Sequence, residues 1–399
     1  MGEEKEREVF CMKKLTALLM AGVMVFGMMA CGTGKVQQNS KDQTETKAPA
    51  EEAAPAEEEV AESTEESVGA EKSAILIING NLGDLGFFDS ANAGMQRVKN
   101  ELGLNIQVIE TGDDESKWES ALADAAEEDV DYVIAVSPSM VEPMQNIAPL
   151  YPEKKFLMMD NTVDFAGGDY SNVYCATFKQ NEGSFLAGAV AATLAKNTGK
   201  LGFVGGMDIP PINDFLVGYI EGALAVNPDT KVIATYPGDY YDPAKGKEHG
   251  IVLINQGAEV LFAAAGPTGL GVIEAAVDAD KYIIGVDSDQ SAGYAANGDE
   301  KTANQIATSM LKNVGDAIFR AIDLDLKGQL SLGKSESLGI AEGGVGLAKN
   351  DVYNKILTDD EKKAIDDIQA KVVSGELKVS TAIGMTTEEL DKLRSSVAP

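Results

Sequence analysis

Residues 74–78 read Ala-Ile-Leu-Ile-Ile, and residues 83–90 read Gly-Asp-Leu-Gly-Phe-Phe-Asp-Ser. The first segment is an apolar run of strand length, and residues 89–102, which follow the loop, have the spacing of a helix. A strand that is apolar at successive positions is typical of a parallel sheet whose two faces are covered by helices. This stretch therefore predicts an α/β fold.

The same strand-loop-helix unit recurs along the chain in two successive series. In the first series we predict strands at residues 74–78, 106–109, 132–136 and 156–159 and helices at 89–102, 116–127 and 141–150. In the second we predict strands at 200–205, 231–236, 260–264 and 282–286 and helices at 182–195, 212–225, 243–256 and 269–279. Two like series predict two lobes, each with a parallel sheet flanked by helices. Ligands bind at the carboxyl ends of such strands, so facing lobes would form one cleft.

The last hundred residues are expected to cross back between the lobes at a hinge. After residue 299 we predict one more strand, a long helix at 308–326, a strand near 337–341 and a helix at 359–373. We expect residues 73–178 to form lobe 1 together with about 290–335, and residues 179–289 to form lobe 2 together with about 336–399.

The first 31 residues have the layout of a leader with a secretory signal. Met12-Lys13-Lys14 precedes an apolar run at 15–30, which ends at Cys31. This run is shorter than the roughly 20 residues that a spanning helix needs, so a signal is favoured over a permanent membrane anchor. Cys31 resembles the lipidated cysteine of a bacterial lipobox, although Met28 stands where that pattern favours Leu. The alternative is an ordinary signal cleaved near Ala30.

Residues 32–72 are rich in Glu, Ala, Pro, Ser, Thr and Gln and almost lack large apolar side chains. Such a segment buries too little apolar area to offset its ordering entropy, and its glutamates repel one another. We predict a disordered acidic tether that holds the folded part away from the membrane. An acidic interaction tail is the alternative.

Composition argues against several classes of function. The net charge of −31 disfavours nucleic acid as a partner. His249 is the only histidine, which removes most general-base and zinc schemes. Cys11 and Cys31 lie in the leader, so Cys175 lacks an obvious partner, and we expect it to be a small buried apolar residue. Because no motif for a nucleophile or a phosphate loop is present, we expect no catalytic residue, no cofactor and no metal.

Polar and aromatic residues gather in the first loop, where the cleft should lie. Asp84, Phe87, Phe88 and Asp89 combine two adjacent rings with flanking aspartates. An aromatic face can stack on a flat ligand. Asp89 and Ser90 can equally cap the helix that follows.

Five further residues follow the later strands. Asp160 and Asp287 each stand at a strand end, where a carboxylate can accept hydrogen bonds from a sugar hydroxyl or a ring NH; the alternative for Asp160 is a turn residue. Phe215 follows a double proline and can face the cleft or belong to the core. Gly266 lies in a Gly-rich turn that can present backbone NH groups to an oxygen. Lys312, expected to open the long helix, can pair with a carboxylate or be a solvated lysine.

Several long stretches resemble one known family. Besides the segments above, they are residues 181–188 (Asn-Glu-Gly-Ser-Phe-Leu-Ala-Gly), 236–247 (Tyr-Pro-Gly-Asp-Tyr-Tyr-Asp-Pro-Ala-Lys-Gly-Lys) and 257–262 (Gly-Ala-Glu-Val-Leu-Phe). From about residue 75 to 341 the chain is similar to the basic membrane protein family of ABC-transporter substrate-binding lipoproteins, of the purine-nucleoside receptor type. The resemblance implies a class I periplasmic-binding-protein-like fold and capture of a nucleoside for an ABC permease. We expect a monomer, anchored by lipid on the extracytoplasmic face of the cell membrane.

The resemblance also implies the ligand contacts. Carried over to this chain, they are Asp84, Phe87, Phe88, Asp89, Asp160, Phe215, Gly266, Asp287 and Lys312. Many members have Asn where this chain has Phe88, and that Asn helps to read the base. A ring in its place removes hydrogen bonding and adds stacking area, so the base preference stays open.

We predict binding without a chemical step. An uncharged ligand would stack between phenylalanines from opposite lobes and be buried by closure. One alternative is a binding protein for a sugar or a furanoside signal, which the three phenylalanines disfavour. Another is a surface nucleoside hydrolase using Asp84, Asp89, Asp160 and Asp287, which the dispersal of these aspartates over separate strand ends disfavours. A third is a membrane-tethered sensor or adhesin.

Overall fold

The computed structural model describes residues 72–399. The predicted leader at 1–31, with Cys11 and the lipidation site Cys31, lies outside the described residues, as does the predicted tether at 32–72 except for Lys72. The elements and contacts given below all belong to the described part of the chain.

The described residues form twelve strands and thirteen α-helices. The strands are β1 Ser73–Ile78, β2 Asn105–Glu110, β3 Tyr132–Val136, β4 Lys155–Met159, β5 Val173–Phe178, β6 Lys200–Gly205, β7 Lys231–Thr235, β8 Val260–Ala264, β9 Tyr282–Asp287, β10 Ile306–Lys312, β11 Lys334–Leu338 and β12 Val345–Leu347. The helices are α1 Phe87–Arg97, α2 Trp118–Glu127, α3 Val141–Ile147, α4 Gln180–Leu194, α5 Pro210–Val226, α6 Pro243–Asn255, α7 Pro267–Asp278, α8 Gln290–Ala296, α9 Glu300–Ala303, α10 Val314–Leu326, α11 Asp351–Ile356, α12 Asp359–Val373 and α13 Thr387–Ser396. A π-helical turn at Val98–Leu102 continues α1. No helix within residues 72–399 has the length and apolar character needed to span a membrane.

The strands form two six-stranded sheets, one in each lobe. The order is β11-β5-β4-β3-β1-β2 in lobe 1 and β12-β10-β9-β8-β6-β7 in lobe 2. Neighbouring strands are parallel, except that β12 is antiparallel to β10. Every residue of the central strand β3 is buried, because helices cover both faces of the sheet. The predicted two-lobed α/β architecture is confirmed.

The helix predicted at 308–326 is wrong at its start. Residues 306–312 form β10, and α10 begins only at Val314. All but one of the β10 residues are buried between neighbouring strands. Residues 308–312 contain no glycine or proline that would separate them from the helix that follows, so their sequence fits a helix as well as a strand, and pairing in the sheet decides the structure. The strand expected near 337–341 lies slightly earlier, as β11.

The lobes exchange segments, and two of the expected boundaries are wrong. Because β10 lies in the second sheet, the segment that returns to lobe 1 is α10 with β11, and not residues 290–335. Lobe 2 resumes at β12 and not at about residue 336. Helix α10 returns because it packs closely on α1. A Cβ added to Gly94 would lie 2.3 Å from the carbonyl oxygen of Gly315, so this helix crossing requires glycine.

Three crossovers connect the lobes, and each leaves from the last residue of a strand. These residues are Phe178 of β5, Lys312 of β10 and Leu338 of β11. The crossing segments are tied together, since the Lys179 amide donates to the carbonyl oxygen of Leu338 at 3.0 Å. The Asn313 amide likewise donates to the carbonyl oxygen of Gly344 at 2.9 Å. The connection between the lobes therefore runs directly beside Lys312.

Cys175 lies in the middle of β5. It is fully buried, as predicted for a small apolar residue, and it forms no disulfide among the residues described. Burial raises the pKa of its thiol, which keeps it protonated and unreactive at neutral pH.

Candidate ligand-binding site

A cavity of about 790 Å³, its open mouth included, lies between the two lobes at the carboxyl ends of their strands. Eight of the nine predicted ligand residues line it: Asp84, Phe87, Phe88, Asp160, Phe215, Gly266, Asp287 and Lys312. The parallel sheets bring these residues together, because strand ends that are distant in sequence are neighbours in a sheet.

Three of the strand ends in the cavity wall have a strained backbone. Ser137, Asp160 and Asp287 have φ angles of 88°, 71° and 66°, in the left-handed region that residues other than glycine rarely adopt. Each follows or ends a strand, after β3, after β4 and in β9. Strain of this kind persists where the surrounding structure holds it, which is common at binding sites.

An ion pair joins the lobes inside the cavity. The Nζ of Lys312, from lobe 2, lies 2.5 Å from Oδ1 of Asp160, from lobe 1, and both side chains are buried. Burial raises the pKa of Asp160, and the nearby ammonium opposes that rise. Lys312 is thus neither at the start of a helix nor solvated, contrary to what the sequence suggested for its element.

Aromatic rings from both lobes surround the ammonium of Lys312. Its Nζ lies 5.5 Å from the ring centroid of Phe87 in lobe 1 and 5.2 Å from that of Phe215 in lobe 2. The ring of Phe178, at the first crossover, is 5.7 Å away. These distances are within cation–π range. Rings from opposite lobes therefore face a common volume.

Phe215 belongs both to the cavity wall and to the core. Its ring centroid lies 6.3 Å from that of Phe262 in lobe 2, and it also lines the cavity. Phe88 is buried beside Phe87, with ring centroids 5.4 Å apart in an edge-to-face arrangement. A Cβ on Gly80 would lie 2.3 Å from Phe88, so this ring packs directly on the backbone of the first loop.

Asp287 is a buried carboxylate in the cavity whose ionisation is strongly perturbed. Burial raises its pKa to about 7, with the negative charges of Asp160 and Asp84 adding to the rise and Lys312 opposing it. Near neutral pH this carboxyl group can therefore either donate or accept a hydrogen bond.

The two aspartates of the first loop differ in their roles. Asp84 lines the cavity, but its oxygens accept hydrogen bonds from the amides of Gly86, Phe88 and Asp89 at 2.9–3.1 Å, so it also caps α1. Asp89 does not line the cavity. Its oxygens accept from the amides of Gly83 and Leu85, which fixes the loop. The alternative that Asp89 and Ser90 cap the helix is also wrong, because Asp84 fills that role.

Gly266 lines the cavity with a φ of 53°. The expectation that this turn offers free backbone NH groups is largely wrong. Pro267 has no NH, and the amide of Thr268 donates to the carbonyl oxygen of Tyr240 at 2.9 Å. The amide of Gly269 donates to the carbonyl oxygen of Gly266 at 2.8 Å. The amides of Thr268 and Gly269 are therefore already paired within the protein.

Several cavity residues were not among the predicted site residues. They include Asn79, Ser137, Ser139, Ile212, Tyr240 and Tyr241. Asn79 and Ser137 directly follow β1 and β3, so the strand-end rule that selected Asp160 would have found them as well. Tyr240 and Tyr241 lie further from a strand end, in the loop between β7 and α6.

Two hydrogen bonds close the cavity between the lobes. The hydroxyl of Tyr241, in lobe 2, donates to the carbonyl oxygen of Asn79, in lobe 1, at 2.7 Å. The hydroxyl of Ser288, in lobe 2, donates to the carbonyl oxygen of Gly86, in lobe 1, at 3.0 Å. The structure is therefore that of a closed form.

Within residues 72–399, no group of three or more His, Cys, Asp or Glu side chains is arranged to hold a metal ion.

Known proteins resemble this chain in sequence and in fold. A family model for Bmp, described as ABC transporter substrate-binding protein PnrA-like, matches residues 71–382. The chain is 29% identical over 332 residues to the ABC transporter nucleoside-binding protein BmpA of Lactococcus lactis subsp. cremoris, with 80% of this chain and 92% of that protein covered. It is 32% identical over 281 residues to an uncharacterized lipoprotein of Pyrococcus furiosus, with 69% of each covered. A solute-binding protein of an ABC transporter system from Aeropyrum pernix K1 superposes with a TM-score of 0.70 at 28% identity, over 82% of this chain and 99% of that chain.

Proposed function

Because the chain belongs to the Bmp family of PnrA-like ABC transporter substrate-binding proteins, we propose that it captures a purine nucleoside between its lobes and delivers it to an ABC permease. The observation that carries this proposal is the pairing of phenylalanine rings from opposite lobes, Phe87 and Phe215, around one buried volume. A flat base that stacks on such rings gains about 1–3 kcal/mol per base. The nucleoside-binding relative from Lactococcus lactis supports the same ligand class.

The charges in the cavity suit an uncharged ligand with several hydrogen-bond donors. The ammonium of Lys312 is already neutralised by Asp160, so it offers no free cation for a phosphate. Asp287 carries no ion-pair partner within the described residues and can accept from a ribose hydroxyl. A nucleoside matches this balance better than a nucleotide does.

Delivery to a permease follows from closure. The open lobes would admit the ligand, and the Tyr241 and Ser288 hydrogen bonds would then hold the closed form that the permease recognises. A lipid on Cys31 and an acidic tether at 32–72 would keep the lobes near the extracytoplasmic face of the membrane. The lipoprotein relative from Pyrococcus furiosus supports this arrangement. The proposed cycle contains no chemical step.

Calorimetry with adenosine, inosine, guanosine, cytidine and ribose tests the proposal. We expect micromolar or tighter binding of at least one purine nucleoside and no free base in the mixture by chromatography. Binding of ribose alone would replace the proposal with a sugar-binding protein, and release of free base would replace it with a hydrolase. Loss of all binding in a Phe87→Ala, Phe215→Ala double variant would link the affinity to the paired rings.

A further inference from the structure

A row of polar side chains crosses the floor of the cavity in lobe 1. In the sheet, Ile77 of β1 is aligned with Ala135 of β3, and Val136 of β3 is aligned with Met159 of β4. Asn79 lies two residues beyond Ile77 and Ser137 two beyond Ala135, so this register aligns them. Ser137 and Asp160 each lie one residue beyond the aligned pair Val136 and Met159. Because neighbouring strands are about 4.8 Å apart, these three side chains form a continuous row, and all three line the cavity.

Two members of this row lack hydrogen-bond partners. The Oδ1 of Asn79 and the Oγ of Ser137 are buried and have no partner within residues 72–399, whereas Asp160 is paired with Lys312. Asn79 is only 1% exposed. A buried acceptor without a partner is unfavourable and rare, and here both residues line a cavity that can hold a ligand.

Closure seals Asn79 against solvent. The Tyr241 hydroxyl of lobe 2 donates to the backbone carbonyl of Asn79 in the closed form, and the side-chain Oδ1 of Asn79 is left without a partner within residues 72–399. Phe88 packs on Gly80, the residue next to Asn79. Its ring can stack on a base but cannot read one, which leaves the polar edge of a base to Asn79 and Ser137.

We propose that Asn79 and Ser137 read the base, and that they select a purine nucleoside whose six-membered ring presents an N–H donor to Asn79 Oδ1. This inference rests on the proposed function and specifies its ligand. The donor is the 6-amino group in adenosine or the N1–H group in inosine and guanosine. Ser137, which can donate and accept, contacts the neighbouring ring atom.

Purine riboside provides the test, because it retains the purine ring and the ribose but carries no N–H group on the base. With the full-length protein, we expect at least one of adenosine, inosine and guanosine to bind about tenfold or more tightly than purine riboside. Asn79→Leu should reduce that ratio to about one without weakening purine riboside. Ser137→Ala should reduce it partly. Asn146→Leu, on the exposed surface of lobe 1, is the matched control and should leave the ratio unchanged.

The experiment distinguishes failure of the base-reading role of Asn79 from failure of nucleoside capture itself. A wild-type protein that binds purine riboside as tightly as the best natural nucleoside overturns the reading role of Asn79 but leaves nucleoside capture intact. An unchanged ratio in Asn79→Leu does the same. If that variant fails to fold, Asn79→Asp keeps an acceptor of the same shape and should retain the preference for the N–H donor; its loss would count against the inference. Absence of binding for every nucleoside would overturn the proposed function itself.

Discussion

Lys312 and Asp160 form an ion pair that joins the two lobes: the ammonium nitrogen lies 2.5 Å from the carboxylate oxygen, and the side chains are only 5% and 9% exposed. Lys312 is the last residue of β10 and adjoins a crossover between the lobes. Because the two partners belong to different lobes, we expect the energy of the pair to be coupled to closure more than to the folding of either lobe.

Asp160→Ala should therefore favour the open form instead of unfolding the protein. Removing one partner of a buried pair leaves an uncompensated charge, which costs about 3–5 kcal/mol, but opening the lobes lets water solvate Lys312. We expect nucleoside affinity to fall by roughly 1–3 kcal/mol and the ligand-free radius of gyration in X-ray scattering to increase.

The Lys155–Asp325 pair offers a matched control for this prediction. It has a similar distance of 2.6 Å, but both partners lie in lobe 1. Asp325→Ala should lower the free energy of unfolding without changing the affinity for the nucleoside. Equal losses of affinity in the two variants would contradict the assignment of Asp160 to closure.

The raised pKa of Asp287 predicts how stability depends on pH. Its pKa is about 7 in the folded protein and about 3.9 in an unfolded chain. Between these values the folded protein binds a proton that the unfolded chain has lost, so the contribution of this group to the free energy of unfolding falls as the pH rises from about 4 to about 7. Above pH 7 it stays at its low value.

Asp287→Asn should remove this contribution. In urea denaturation, the free energy of unfolding should fall less between pH 5 and pH 8 for the variant than for the wild type. The two decreases should differ by up to a few kcal/mol. Asp131→Asn is the control. The ion pair with Lys72 holds the pKa of Asp131 below its usual value, so Asp131 is ionised at both pH values. This substitution should therefore change the free energy of unfolding equally at pH 5 and pH 8. Parallel pH profiles for wild type and Asp287→Asn would refute the prediction.

Phe87→Ala and Phe215→Ala should each weaken nucleoside binding by roughly 1–3 kcal/mol, because each removes one stacking face. Calorimetry measures the loss. Phe165→Ala removes a half-buried ring of lobe 1 that packs on Tyr170, away from the cavity, and should leave the affinity unchanged. Unaltered affinity in both cavity variants would mean that the base does not stack between these rings.

Tyr241→Phe should accelerate ligand release. The variant keeps the ring but loses the hydrogen bond to the carbonyl oxygen of Asn79, a contribution of about 0.5–1.5 kcal/mol. Since the bond forms only on closure, we expect the dissociation rate in stopped-flow experiments to rise about 2–10-fold with little change in association. Tyr151→Phe, at an exposed contact with Glu127, should change neither rate.

Arg394 of α13 should support the cavity from behind. Its Nη2 donates to Asp208, Asn213 and Tyr236 at 2.7–2.9 Å, and Asp208 directly precedes the cavity residue Ile209. Arg394→Ala should loosen this loop and weaken nucleoside binding by up to about tenfold, measured by calorimetry. Lys392→Ala, on the exposed side of the same helix, should bind as the wild type does.

The position of Lys312 illustrates the limit of sequence-based prediction at this site. The residue lines the cavity, where it was expected, but its element was wrong, because a buried run such as β10 has no periodicity that separates a strand from a helix. Asp89 was predicted as a ligand contact but fixes the loop, since aspartates a few residues apart can exchange the capping and binding roles. Asn79 and Tyr241 were missed because an asparagine or a tyrosine after a strand is common in any loop.

Most of the alternation of strands and helices before residue 290, the two like halves and the family were predictable from the sequence alone, because apolar runs and long motif matches are local properties of the chain. Only the tertiary structure decided which lobe takes up β10, α10 and β11, and which strand ends meet across the cleft. The physical reason is that these outcomes depend on contacts between residues far apart in sequence. The crossing of Gly94 and Gly315 exists only once α10 has returned to lobe 1, and the pairing of Asp160 with Lys312 forms only when the two lobes meet.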